Sequence, residues 1–298
     1  MVSPKKSAQG NGRKLKRANK FVLSAIAICV TLLPILSVGV WVKNTFFADQ
    51  RHTITLQTLQ PEPGEVRLFD EPMISVTFDD GWESVYSKGA PILDKHGIRT
   101  TQYVLSGSLD FLNYLSRDQI ISLHRAGHDI QSHTVSHNDL TSLNHEELEF
   151  ELKESRDAIS KLVGKEVKDF ASPLNRQNQE VINEIQKYYR SHRNTDADID
   201  TLYDGSFNMR SNFNPYQISA FSIRRTTTVD QIIRFIEAAK EKNAWIILIY
   251  HQIEDESEDY YAVTPKQLDE QMATIKDSQI RIVTMEEALN AYDKQKAQ

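Results

Sequence analysis

The stretch Ile74–Trp82, ISVTFDDGW, sets two carboxylates, Asp79 and Asp80, side by side after an alternating apolar run. Asp-Gly is a strong turn pair, so a plain turn accounts for these residues taken alone. Other ionisable residues point further. His133 and His137 stand four apart in SHTVSH, and His251 follows the most apolar run of the outer chain, in LIYHQI. An i, i+4 spacing can turn two imidazoles toward one metal ion. Asp80, His133 and His137 then offer two nitrogens and one oxygen, which leaves room for water or substrate, as in catalytic zinc sites. Non-haem iron oxygenases use the same ligand set. Asp79 as a general base and His251 as an acid favour hydrolysis over that alternative. A second pair of equal spacing, His124 and His128 in HRAGH, straddles Gly127, a helix-stop signal, and reads as structural.

These residues need a frame. Strand patterns fall at 73–78, 101–105, 128–132, 167–171, 188–191, 219–223, 244–250 and 280–284. Helical patterns fall at 83–96, 116–126, 144–163, 177–187, 228–242, 264–277 and 285–294. The helix at 144–163 opens on a capping signal, Asn144 followed by Glu147. Repeated strand-then-helix order predicts a parallel α/β sheet, with closure into a barrel as one form of it. In such folds chemistry gathers at the carboxyl ends of strands. Asp79 and Asp80, His133 and His137, the segment SPLNRQN and His251 each follow a predicted strand.

The N-terminus is a different kind of sequence. Residues 1–20 carry seven basic side chains and no acidic one, and Phe21–Val42 is uncharged. As a helix that run would span roughly 33 Å at about 1.5 Å per residue, enough to cross a bilayer. It is longer than the apolar core of a signal peptide and lacks a clear cleavage site, so an uncleaved anchor is expected. The charge bias then places residues 1–20 in the cytoplasm and the remainder outside the cell. Residues 43–70, with TLQPEPGE, read as a stalk, and 71–298 as the catalytic domain. Beyond residue 43 the chain has 27 basic against 41 acidic side chains, which argues against nucleic acid as a partner. The single cysteine, Cys29, excludes an intrachain disulfide and reads as an apolar filler within the span.

TFDDGW, SHTVSH and LIYHQI, in that order, resemble the polysaccharide deacetylases of the NodB-homology type, carbohydrate esterase family 4, over about residues 71–290. The resemblance implies a deformed (β/α)7 barrel that hydrolyses N-acetyl groups on amino sugars with a divalent metal. Zinc, cobalt or nickel would suit its ligands. By position it implies Asp79 as the catalytic base, Asp80, His133 and His137 as the metal ligands, and His251 as the catalytic acid. Family members commonly carry an Arg-x-Pro-Tyr motif after the fourth strand, where the Arg orients the base. Here the segment is Ala171-Ser172-Pro173-Leu174, with no Arg and with Leu in the aromatic position. The Leu174 backbone N–H beside Pro173 remains a candidate oxyanion donor. Arg193 and Arg225 are candidates for the missing charge, and Phe207, Phe213 and Phe221 for an absent pocket tryptophan. The expected activity is deacetylation of an extracytoplasmic glycan: peptidoglycan, poly-N-acetylglucosamine or a chitin-like polymer. A non-catalytic glycan-binding module and an O-deacetylase of xylan-like polymers are the alternatives.

Overall fold

The strand β7 (Trp245–Tyr250), WIILIY, has no charged residue, and all six positions are buried. Such a run belongs at the centre of a sheet covered on both faces. Its neighbour β1 (Met73–Phe78) is likewise buried throughout. The two pair in parallel and in register, from Met73 beside Trp245 to Phe78 beside Tyr250. In the computed structural model, which describes residues 65–194 and 204–298, six further strands complete the sheet. They are β2 (Thr101–Val104), β3 (Asp129–Ser132), β4 (Asp169–Ala171), β5 (Ser191–Arg193), β6 (Phe221–Ser222) and β8 (Arg281–Ile282). The order is β5-β4-β3-β2-β1-β7-β6, with β8 also on β1, and every ladder is parallel. All carboxyl ends therefore meet at one rim.

Helices alternate with the strands: α1 (Ala90–His96), α2 (Arg117–Arg125), α3 (His145–Val163), α4 (Gln179–Ile185), α5 (Val229–Lys242), α6 (Pro265–Asp277) and α7 (Met285–Lys296). Four begin with reciprocal capping boxes, Ser116 with Gln119, Asn144 with Glu147, Thr228 with Gln231, and Thr284 with Glu287. The outward faces of β1 and β7 pack through Val76 and Leu248 on Phe235 of α5 and Met272 of α6. Ile130 and Phe170 do the same with Leu123 of α2 and Leu152 of α3. Inside the curve of the sheet, Met73, Tyr103 and Ile247 pack with Met285 and Leu289 of α7. Among the described residues β5 and β6 share no ladder, and one bridge, Arg193 with Ile218, spans the space between them. The result is a half-barrel of parallel strands, consistent with the deformed barrel expected from the motifs.

Most elements are trimmed by a few residues relative to the sequence reading, and two differences matter most. The packed structure begins before residue 71: Leu68 is fully buried, and its backbone N–H donates to Gln295 Oε1 of α7 at 3.0 Å. The fifth strand is Ser191–Arg193, not 188–191, because Tyr188 and Tyr189 still donate to the Ile185 carbonyl in the turn closing α4. That shift decides which side chains of this segment face the interior. The span at 21–42 lies outside the described residues, and among those described no helix is long and apolar enough to cross a membrane.

Candidate metal centre

At the end of β1 the backbone leaves its extended path, with φ of 71° at Asp80 and 78° at Gly81. The left-handed conformation is rare outside glycine, and Asp tolerates it better than most. It turns Asp80 across the rim while Asp79 keeps facing the interior. After β3 the chain does the same twice, with φ of 77° at Thr134 and 61° at His137. Thr134 is β-branched, so this is genuine strain, of a kind that collects at functional sites. The surroundings hold it in place. Thr134 Oγ1 accepts the His137 N–H at 3.0 Å, and Ser155 Oγ of α3 donates to the Thr134 carbonyl at 2.8 Å. Glu151, a buried carboxylate on α3, accepts the Val135 and Ser136 N–H groups at 2.8 and 2.9 Å and the Ser136 hydroxyl as well.

The strain brings three ligand atoms together. His133 Nε2 and His137 Nε2 lie 3.4 and 3.3 Å from Asp80 Oδ1. These distances exceed the 2.7–2.9 Å typical of charge-assisted hydrogen bonds. Tetrahedral ligands about 2.0–2.1 Å from a zinc-sized ion would lie about 3.3–3.4 Å apart, so the donor set fits a divalent cation. It is the one group of three or more potential ligands with this closeness among the described residues. His133 Nδ1–H donates to the Ala171 carbonyl at 2.8 Å, which fixes the tautomer and leaves Nε2 free to bind. Burial opposes charge on Asp80, yet the adjacent His133 and His137 hold its carboxyl well below the usual range. Burial likewise works against a charged His137, and the Asp80 carboxylate outweighs it, raising the imidazole's pKa.

The other expected residues sit on the same rim. The Asp79 N–H donates to the Tyr250 carbonyl at 2.9 Å, which ties the end of β1 to His251, next in the chain. The Asp79 carboxylate is only 4% exposed and receives Arg193 Nη2 on both oxygens, at 2.5 and 2.6 Å. Arg193 is itself 1% exposed, and its guanidinium lies 4.9 Å over the Tyr103 ring. Of the two candidate arginines, Arg193 is therefore the one against Asp79, the expected base. Arg225 is engaged elsewhere, donating to the Glu254 and Asp255 carbonyls. His251 packs on the Tyr261 ring at 5.1 Å. Pro173 is buried, while Leu174 is exposed and left-handed, with φ of 57°.

The three candidate phenylalanines lie elsewhere. Phe207 and Phe221 pack with each other, and Phe221 packs on Phe235 of α5. Phe213 packs on Phe69, Trp245 and Tyr292, at the opposite end of the strands. His128 is buried, with Nδ1 accepting the Thr100 N–H, so the second histidine pair is not part of the ligand group. Sequence reasoning missed Glu151 and Trp82. Each left a signal: Glu151 falls at helical spacing among the core-facing residues of α3, and Trp82 follows the paired carboxylates directly.

Residues 67–190 match the model of the polysaccharide deacetylase family. The Bacillus subtilis protein YxkH, itself named for polysaccharide deacetylases, is 26% identical over 152 residues, 49% of this chain and 54% of that protein. A chitin deacetylase of Arthroderma benhamiae is 33% identical over 94 residues, 30% of this chain and 24% of its own. The chain thus spans about half the length, or less, of the curated relatives it matches. The peptidoglycan deacetylase PdaC of Bacillus subtilis superposes with a TM-score of 0.53 at 19% identity, over 77% of this chain and 95% of that structure, a likeness of fold.

Proposed function

We propose, from the membership of residues 67–190 in the polysaccharide deacetylase family, that this chain removes N-acetyl groups from an extracytoplasmic amino-sugar polymer with the help of a divalent metal. The observation that carries the reading is the convergence at one rim of a three-atom ligand group and a buried carboxylate clamped by an arginine. A glycan-binding module without turnover would have no use for the second feature. A divalent cation, zinc, cobalt or nickel, held by Asp80, His133 and His137 would supply Lewis acidity toward water and the acetyl carbonyl. Asp79 accepts the proton of the attacking water, with Arg193 fixing the plane of its carboxylate. The Leu174 N–H donates to the oxygen on which negative charge develops. His251 gives a proton to the amine nitrogen as the C–N bond breaks, so acetate leaves and a free amine remains on the sugar.

The test is acetate release by the metal-loaded full chain from peptidoglycan, poly-N-acetylglucosamine and chitin oligomers. Release from at least one of these, abolished by chelation and restored by metal, is the expected result. Release from acetylated xylan alone would overturn the amide specificity. Glycan binding without release from any polymer would replace catalysis by a binding role. We further propose that residues 21–42 anchor the chain and hold this site outside the cytoplasm.

A further inference from the structure

Asp80 has two carboxylate oxygens, and the structure treats them differently. Oδ1 faces His133 Nε2 and His137 Nε2, at 3.4 and 3.3 Å. Oδ2 accepts a hydrogen bond from the indole Nε1–H of Trp82 at 3.0 Å. The indole is in turn stacked on Tyr114, with ring centroids 5.0 Å apart and planes 16° from parallel. The backbone beneath the stack is clamped. Trp82 and Tyr114 form an antiparallel bridge, Leu115 N–H donates to the Gly81 carbonyl at 2.8 Å, and Glu83 N–H donates to the Asn113 carbonyl at 2.8 Å. The loop after β2 that carries Tyr114 is also pinned to the loop bearing His137. Ser106 and Gly107 N–H donate to the Thr134 and Val135 carbonyls, and a Cβ on Gly107 would come within 2.7 Å of the Val135 oxygen.

A free carboxylate can offer a cation one oxygen or both. One that spends an oxygen on a fixed N–H donor offers the other alone, in one direction. We propose that Trp82 is a positioning residue for the metal ligand Asp80: its indole N–H holds Oδ2, Tyr114 holds the indole, and only Oδ1 is presented to the cation. This keeps coordination positions open for water and the substrate carbonyl, and it offsets the rotational freedom of an aspartate on a strained turn. The inference rests on the metal-site reading given above.

Trp82→Phe tests it, because the ring stack on Tyr114 survives and only the N–H donor goes. The full chain is stripped and titrated with Co²⁺, following heat by calorimetry and the visible absorption of the bound ion. The variant should bind about 10–100-fold more weakly, the usual cost of losing a hydrogen bond to a ligand. Its cobalt absorption should weaken as the freed oxygen raises the coordination number. A change in packing alone would not alter that spectrum. If Trp82→Phe does not fold, Tyr114→Ala, which keeps the indole donor but removes its support, decides the matter: weaker binding upholds the inference, wild-type binding overturns it. Wild-type affinity and spectrum in Trp82→Phe overturn the inference while leaving the metal site standing. A wild-type chain that binds no Co²⁺ overturns both.

Discussion

The proposed function gives the neighbours Asp79 and Asp80 different tasks, and the two differ in what each touches. Asp80 shares Oδ1 with two imidazoles, whereas both Asp79 oxygens are taken by Arg193. Asp80→Asn should therefore lower metal affinity and turnover together. Asp79→Asn should keep its metal and lose about 10²–10⁴ in turnover, the usual worth of a positioned general base. The measurement is metal stoichiometry beside acetate release for both variants, and near-normal turnover in metal-bound Asp79→Asn would remove the base assignment. The residues of the proposed ligand group and base could be picked out because their types and order recur as motifs on predicted strand ends. The partner of Asp79 was not: Arg193 and Arg225 look alike in sequence, and only the register of β5 on β4, Ala171 beside Arg193, turns the first inward. Trp82 stands directly after the paired carboxylates, which is a signal, but its hydrogen bond to Asp80 two residues away depends on a left-handed turn that the sequence pattern does not announce.

At the scale of elements, α3 works as a clamp. Its capping box and apolar spacing were readable, but a glutamate on its core face has no meaning until the loop after β3 is seen folded onto it. Glu151→Ala would remove the acceptor of the N–H groups of half-buried Val135 and exposed Ser136, where water can take its place, at about 0.5–1.5 kcal/mol each. We expect a lower melting temperature and, because the His137 turn is released, weaker metal binding. Stability alone falling, with metal affinity intact, would confine Glu151 to a packing role. The strands carry a second, pH-dependent constraint. Burial pushes His128 down to about 4, with Arg99 nearby adding to the shift. Burial also pushes His192 down to about 4; its Nδ1–H donates to the Tyr216 carbonyl, its Nε2 accepts the Ser172 hydroxyl, and Arg193 opposes its charge. Both are held neutral, with folded values below the unfolded value of about 6.5. Their stabilisation is present above that value and is lost as pH falls through about 4, roughly 3 kcal/mol per histidine once complete. Buried Asp129, whose carboxyl is pushed up to about 7, works in the opposite direction over the same range. The histidine contribution is therefore read as a difference: melting temperatures from pH 7 to 4 should fall less for His192→Gln than for the wild type.

At the scale of the whole molecule, the sequence divides into parts with opposite electrostatic character. The chain beyond residue 43 is acidic, and its half-barrel carries the candidate site on one rim, whereas residues 1–20 are basic and adjoin an uncharged run at 21–42. On the proposed function the polymer is too large to enter the cell and the rim must face outside, and an uncharged run preceded by seven basic residues, if it spans the membrane as proposed, is a sufficient device for doing so. Among the described residues the first buried side chain is Leu68, about 25 residues after the uncharged run at 21–42. Extended, a segment of that length reaches some 80 Å at about 3.3 Å per residue, and as a flexible coil about 25–30 Å. Under the proposed anchoring, either reach would let the domain search a glycan layer around a fixed point. Protease added to spheroplasts expressing the full chain should digest the domain and leave a short membrane-bound fragment containing residues 1–42. Complete protection would place the rim in the cytoplasm and reject the anchoring proposal. Release of the intact domain, without protease and with an N-terminus after residue 42, would show instead that the apolar run is cleaved.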